Sequence, residues 1–257
     1  MQPIAQKSRA ISNSPEPTPQ THRLGFTLIE MLVVIGIITA LLAILIPGLG
    51  KARAMARRMK CASNLHQIDV AMHLYLGDNK ETYPCAQDPL PKQQPSDPNI
   101  WLWMGRGWRG FVSPYLGEKI DPNNPSVLLC PADLGAIQKY ASTSYAYSMA
   151  FYHSPQQIND MDSPADTYGN PQPSIPQESD RVASPAGKII VGEWSSNHRR
   201  IEQNEEKGWW NWAGCRNFLF ANSKTLFLEA GKIRPANDGN PNPNLTKNGI
   251  EGVDWPR

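Results

Sequence analysis

Between Phe26 and Ile46 runs an apolar segment that contains one charge, Glu30. At 1.5 Å per residue a helix of this length covers about 30 Å, the thickness of a bilayer's hydrocarbon core. Val33, Val34, Ile35, Ile37 and Ile38 weaken an isolated helix in water, but in lipid the backbone must satisfy its own hydrogen bonds and the helix wins. Pro47, followed by Gly48 and Gly50, removes a backbone donor and predicts a kink or a locally melted turn. Beyond it Met55, Met59, Ala62, Leu65, Ile68, Met72 and Tyr75 recur at steps of three and four, one apolar stripe, up to a stop at Gly77, Asp78 and Asn79. Residues 26 to about 76 read as one long helix, apolar all round in its first half and amphipathic in its second. The second half needs a surface to lie on.

The rest of the chain is different in texture. Its mean hydropathy of −0.46 is that of a largely soluble polypeptide despite the apolar run. A net charge of +2 over 257 residues gives no broad basic surface, so no nucleic-acid partner is expected. Twenty-four prolines and 19 glycines predict a small globular part with long connections. Residues 1–25 are polar and proline-broken and cannot bury a core. WLWMGRGWRGFVSPYLG (101–117) predicts a short helix ending at Gly117, while STSYAYSM (142–149) and GKIIVGEW (187–194) read as strands. In RNFLFANSKTLFLEA (216–230) two β-rich runs flank Asn222-Ser223, a hairpin in which asparagine takes the positive φ. The tail after Gly231 reads as loop or disorder. The fold class is α+β: a long helix packed on a small antiparallel sheet.

Three kinds of N-terminal segment share such an apolar run. A cleavable secretory signal has a shorter core and a small-residue cleavage site, which this run lacks. A plain anchor explains the length and leaves Glu30 without a reason. The third begins at Gly25-Phe26, where a short basic leader ends in glycine, phenylalanine follows, and a glutamate stands fifth from the junction. GFTLIEMLVVIGIITALLAILIP resembles the class III signal of type IV prepilins and type II secretion pseudopilins. That resemblance implies cleavage between Gly25 and Phe26 by a membrane-embedded prepilin peptidase, which then methylates the amine of Phe26. It makes Glu30 and Pro47 assembly residues, Pro47 being where the helix loosens in filaments. It further implies a leader at 1–25, a transmembrane helix at 26–47, an amphipathic continuation at 48–77 and an extracytoplasmic, periplasmic head at 78–257. The protein would sit single-pass in the inner membrane. Its partners would be other pseudopilin subunits, membrane lipid, an assembly platform and a cytoplasmic ATPase.

Glu30 gains a physical reason from this reading. A carboxylate in a bilayer costs about 2.5–3.5 kcal/mol at the centre and less near an edge, so it has a partner. The cationic amine of a neighbour's Phe26 can supply one and set subunit register. One pattern opposes the topology: Lys51, Arg53, Arg57, Arg58 and Lys60 follow the run, against Lys7, Arg9 and Arg23 before it. Charge counting alone places the C-terminal part inside; the prepilin resemblance places it outside.

ARRMKCASNLHQIDVAMHLYLGDN, YPC, LLCPAD (128–133) and SYAYSM also resemble pseudopilin-like proteins common in Planctomycetes. Those proteins close with a histidine, nine residues, then Asp-Gly. Here Trp212 and Asn222-Ser223 stand at those places, so roles that need the histidine or aspartate are in doubt. Four cysteines without close pairs argue against a zinc site and for disulfides if the head is extracytoplasmic. Three pairings are open; Cys61 with Cys130 and Cys85 with Cys215 is an economical one.

Other candidates are weaker. His66 and His73 near Asp69 read as exposed polar positions. Glu193, Ser195 and His198 lack any nucleophile elbow or metal spacing, so no enzyme is expected. Asn237, Asp238 and Asn240 offer oxygen to Ca2+, but a single carboxylate is a thin site, and no cofactor is expected. The tryptophans at 101, 103, 108, 194, 209, 210 and 212 read mainly as core. The sequence thus reads as a pseudopilin-like structural subunit. A type IV pilus subunit for adhesion or DNA uptake, or a membrane-anchored glycan-binding protein, is the alternative.

Overall fold

The computed structural model describes residues 26–85, 108–117, 126–133, 144–162, 172–198 and 212–256. Gly25, the leader and the tryptophans at 101, 103, 209 and 210 lie outside them. The chain divides into two compact units, Met1–Gly48 and Leu49–Arg257.

In the first unit the described residues belong to the opening of α1 (Leu28–Asp78). Every side chain there is exposed, with Leu28 at 86% and Ile44 at 77%. The helix is long and apolar enough to cross a membrane. Pro47 lies inside it without a break, which rules out the melted turn, one of the two outcomes its sequence allowed. A proline deletes one rung of the ladder, and the turns on either side keep theirs.

In the second unit the helix stripe begins later than its periodicity implies. Met55 and Met59 are exposed, and burial starts at Cys61, followed by Leu65, Ile68, Met72 and Leu76. The helix also passes through Gly77 and stops at Asp78. There Asn79 Nδ2 donates to the Tyr75 carbonyl at 2.8 Å, and Lys80 and Glu81 take positive φ. The stop thus falls where the sequence put it, made by the Asn79 side chain and two left-handed residues rather than by Gly77. The short helix α2 (Trp108–Leu116) ends at Gly117, φ 66°, as its sequence predicts.

Four antiparallel strands follow in the order β1 (Tyr145–Tyr147), β2 (Ile189–Glu193), β3 (Cys215–Phe220) and β4 (Thr225–Glu229). Alternation assigns the faces. Tyr145, Tyr147, Val191 and Leu219 join the core built on α1, while Ala146, Ile189, Phe218 and Phe220 join a second core with Ile233. A bulge between Ile189 and Val191 lets Ile190 also reach the α1 side. The β3–β4 hairpin is real, but its loop is longer than two residues and Ser223, not Asn222, takes the positive φ (66°). Asn222 Oδ1 instead accepts from the Lys224 amide.

The tail departs most from its sequence reading. Residues 231–256 form a strap of short 3-10 turns whose Ile233, Ala236, Leu245 and Ile250 complete the two cores. Its polar side chains replace a sheet's ladder. Asn244 Oδ1 accepts from the Met149 amide at 3.1 Å, Asn237 Nδ2 donates to the Ile158 carbonyl at 2.7 Å, and Asp254 Oδ2 accepts from the Ile189 amide at 2.8 Å. Asp254 also faces the buried Lys188 ammonium at 3.3 Å. Burial pushes that lysine's pKa down, and the Asp254 charge opposes the shift. At Gly252 an added Cβ would stand 2.0 Å from the Lys247 carbonyl oxygen and 2.9 Å from Thr246 Cγ2. Gly252→Ala is therefore expected to destabilise the head by about 1–3 kcal/mol, read as a lower urea midpoint of the full chain in detergent. An unchanged midpoint would show that the strap does not sit this tightly.

Candidate functional site

Two places concentrate polar chemistry, and the first is the start of α1. Thr27 and Glu30 face each other across the first turn. The Thr27 amide and hydroxyl both donate to Glu30 Oε2 at 2.8 Å, and the Glu30 amide donates to Thr27 Oγ1 at 3.2 Å. This is a reciprocal capping box, which satisfies helix-end donors that lipid cannot. Glu30 thus has a partner within its own chain, one that its sequence reading missed although Thr-x-x-Glu is the signature of such a cap. Phe26, beside it, is exposed.

The second place is buried in the unit Leu49–Arg257, where α1, β2, β3 and two loops converge. Cys61 of α1 and Cys130 form a disulfide, Cα to Cα 5.1 Å, across 69 residues of sequence. No bridge joins Cys85 to Cys215, the second bond of the economical pairing. Cys215 stands at the start of β3 with its backbone tied in both directions to Ser196 Oγ, where strand geometry fixes its direction.

Beside the bridge lies Glu193, fully buried at the end of β2. Its Oε2 accepts from the Asn217 amide at 2.8 Å and its Oε1 from Asn217 Nδ2 at 3.0 Å. His198 Nε2 lies 2.7 Å from Glu193 Oε1, with both side chains 3% exposed or less. Cys130 Sγ is 3.6 Å from that same Oε1 and 3.5 Å from that same Nε2. Close by, burial pushes the Arg216 guanidinium down to about 10 while the Glu193 charge acts in the opposite direction. The Tyr145 hydroxyl is held well above its usual range, first by burial and then by Glu193. The sequence offered Glu193 and His198 together with Ser195; their meeting with Cys61 and Cys130 depends on strand order, which no local spacing encodes.

Of the candidates set aside in the sequence, His66 is exposed, and His73 turns back on Asp69 of its own helix. Asp238 spends one oxygen on the Asn240 amide and the other on Asn242 Nδ2, so the loop offered to Ca2+ is closed on itself. Trp108 is buried in the main core and Trp194 nearly so, while Trp212 is 40% exposed. Arg58, from the basic cluster that opposes the expected topology, lies over the Phe227 ring of β4 at 4.7 Å.

Known proteins match this chain in two regions. A family model described as a protein of unknown function (DUF1559) matches residues 50–204, more than half of the chain. The chain belongs to that family. The DUF1559 span includes Cys61, Cys130, Glu193 and His198. Residues 21–46 match the prokaryotic N-terminal methylation motif, which covers Gly25, Phe26 and Glu30 and marks a prepilin-type start. A competence protein, ComGC, from Halalkalibacterium halodurans is 31% identical over 75 residues, 29% of this chain and 72% of the relative. No solved structure matches. The DUF1559 member thus has a prepilin-type start followed by a helix long and apolar enough to cross a membrane.

Proposed function

We propose that this chain is a pseudopilin-like subunit, cut between Gly25 and Phe26 by a prepilin peptidase, N-methylated at Phe26, and assembled by packing of its N-terminal helices into a type II secretion-like fibre. The observation that carries the reading is α1 itself. Its first half is apolar on all sides and buries nothing among the described residues, and it opens on the methylation motif. A surface of that size needs lipid before assembly and sister helices after it. The work is mechanical, with the driving ATPase and inner-membrane platform as partners.

In this proposal residues 1–25 are a cleaved leader, 26–47 the membrane span, 48–77 its continuation and 78–257 a head outside the cytoplasm. The contact of Arg58 with Phe227 supports that orientation, since it ties one of the opposing cations to the head's own sheet. A bridge at Cys61–Cys130 accords with an oxidising compartment. A pilus subunit for DNA uptake is the second reading, favoured by the competence protein among the relatives.

Mass spectrometry of the mature protein from its native host tests the proposal. The N-terminal peptide is expected to start at Phe26 with one added methyl group; a chain still carrying residues 1–25 overturns it. Recovery with secretion machinery or with imported DNA separates the two readings.

A further inference from the structure

We propose that Cys61, Cys130, Glu193 and His198 form a zinc site when the disulfide between the two cysteines is open. The inference concerns the unit Leu49–Arg257 alone and does not rest on the proposed role in a fibre.

A disulfide is apolar and asks nothing of its neighbours, yet a fully buried carboxylate and a buried imidazole are aimed at this one. Each is paired, Glu193 with Asn217 and His198 with Glu193, and what calls for a reason is their convergence on a sulfur. The three contacts share atoms. Cys130 Sγ, Glu193 Oε1 and His198 Nε2 lie 3.5, 3.6 and 2.7 Å apart, so all three point at one spot. A catalytic relay would instead use the two ring nitrogens of histidine for two different partners. A tetrahedral Zn2+ with its usual bond lengths separates sulfur from nitrogen or oxygen by about 3.5 Å and nitrogen from oxygen by about 3.3 Å. Two of the three observed separations already match, and the third needs a modest opening. All four ligand atoms lie within 4.8 Å of one another.

The surroundings fit the ion. Glu193 would ligate through Oε1 while the Asn217 amide fixes Oε2, the outer support that zinc carboxylates have. Two thiolates, one carboxylate and Zn2+ leave a net charge of −1, which the buried Arg216 guanidinium offsets. Four protein ligands with no open position describe a structural site.

The redox step balances with a dithiol as reductant. Its two thiols become a disulfide, and two electrons and two protons pass to Cys61 and Cys130. Zn2+ then displaces the two thiol protons as both Zn–S bonds form. A newly made chain, still reduced, reaches the metal-ready state with no reductant.

The test uses the full chain in detergent with Cys85→Ser and Cys215→Ser, so that only one cysteine pair remains. After reduction, removal of the reductant and addition of Zn2+ under argon, elemental mass spectrometry should find one zinc per chain, with Cys61 and Cys130 protected from alkylation. The oxidised chain should hold none. His198→Ala should bind at least about tenfold more weakly in competition with a chromophoric chelator, because even losing an outer-shell group costs that much. Its fold is checked by melting the oxidised form. In the unsubstituted site Co2+ should show thiolate charge-transfer absorption and the intense visible bands of tetrahedral cobalt. Failure of the reduced chain to retain zinc, unchanged affinity in His198→Ala, or the pale spectrum of six-coordinate cobalt would each overturn the site.

Discussion

Glu30→Ala is expected to leave cleavage at Gly25–Phe26 largely intact and to abolish incorporation into filaments. The size of the effect follows from separating the two things Glu30 can do. As the third residue of the Thr27 cap it satisfies helix-end donors, and losing such a cap costs about 1 kcal/mol. That weakens one turn and cannot by itself stop assembly. As the only charge in the span, the carboxylate can also meet the cationic Phe26 amine of a neighbouring subunit in an apolar setting, where desolvation offsets much of the attraction but register is strictly set. Glu30→Gln distinguishes them, because the amide oxygen still accepts from Thr27 while the charge is gone. Both variants should be processed and both should be missing from sheared filament fractions. Filaments built normally from Glu30→Gln would reduce the residue to its cap.

Removing the bridge should have the largest effect on the head. Cys61 and Cys130 close 69 residues of chain, and for a loop of that length the entropy of the unfolded state falls by the equivalent of about 4 kcal/mol. Domains are stable by only about 5–15 kcal/mol, so the paired substitution Cys61→Ser, Cys130→Ser takes a large share of the total. The expected outcome is a fall in melting temperature of roughly 10 °C for a unit of this size, measured on the full chain in detergent without added metal. A fall of only a degree or two would mean that the unfolded chain is already compact around these residues, and that the bridge matters for chemistry more than for stability.

Much of this fold is written locally. The apolar run, the end of α2 at Gly117, the placement of all four strands and the β3–β4 hairpin follow from periodicity and turn residues that act over a few positions. What local pattern missed was decided by contact. Met55 and Met59 carry the helical spacing but stay exposed, burial along α1 beginning only at Cys61, so spacing overstated the stripe. The asparagine- and proline-rich tail looked unable to fold because its composition offers no strand. It folds because its side chains bond to backbone far away in sequence, as Asn244 does to Met149. The four-residue cluster is illegible for the same reason: each residue is ordinary where it stands, and only sheet order brings Glu193 and His198 to Cys61 and Cys130.

Synthesis order gives the strap a second meaning. The ribosome delivers Asp254 65 residues after Ile189, the strand residue whose amide it receives. Until then Lys188 has no counter-ion and one face of the sheet lacks its cover. A head that stays unfinished until so late remains threadable, which suits the passage across a membrane proposed for it.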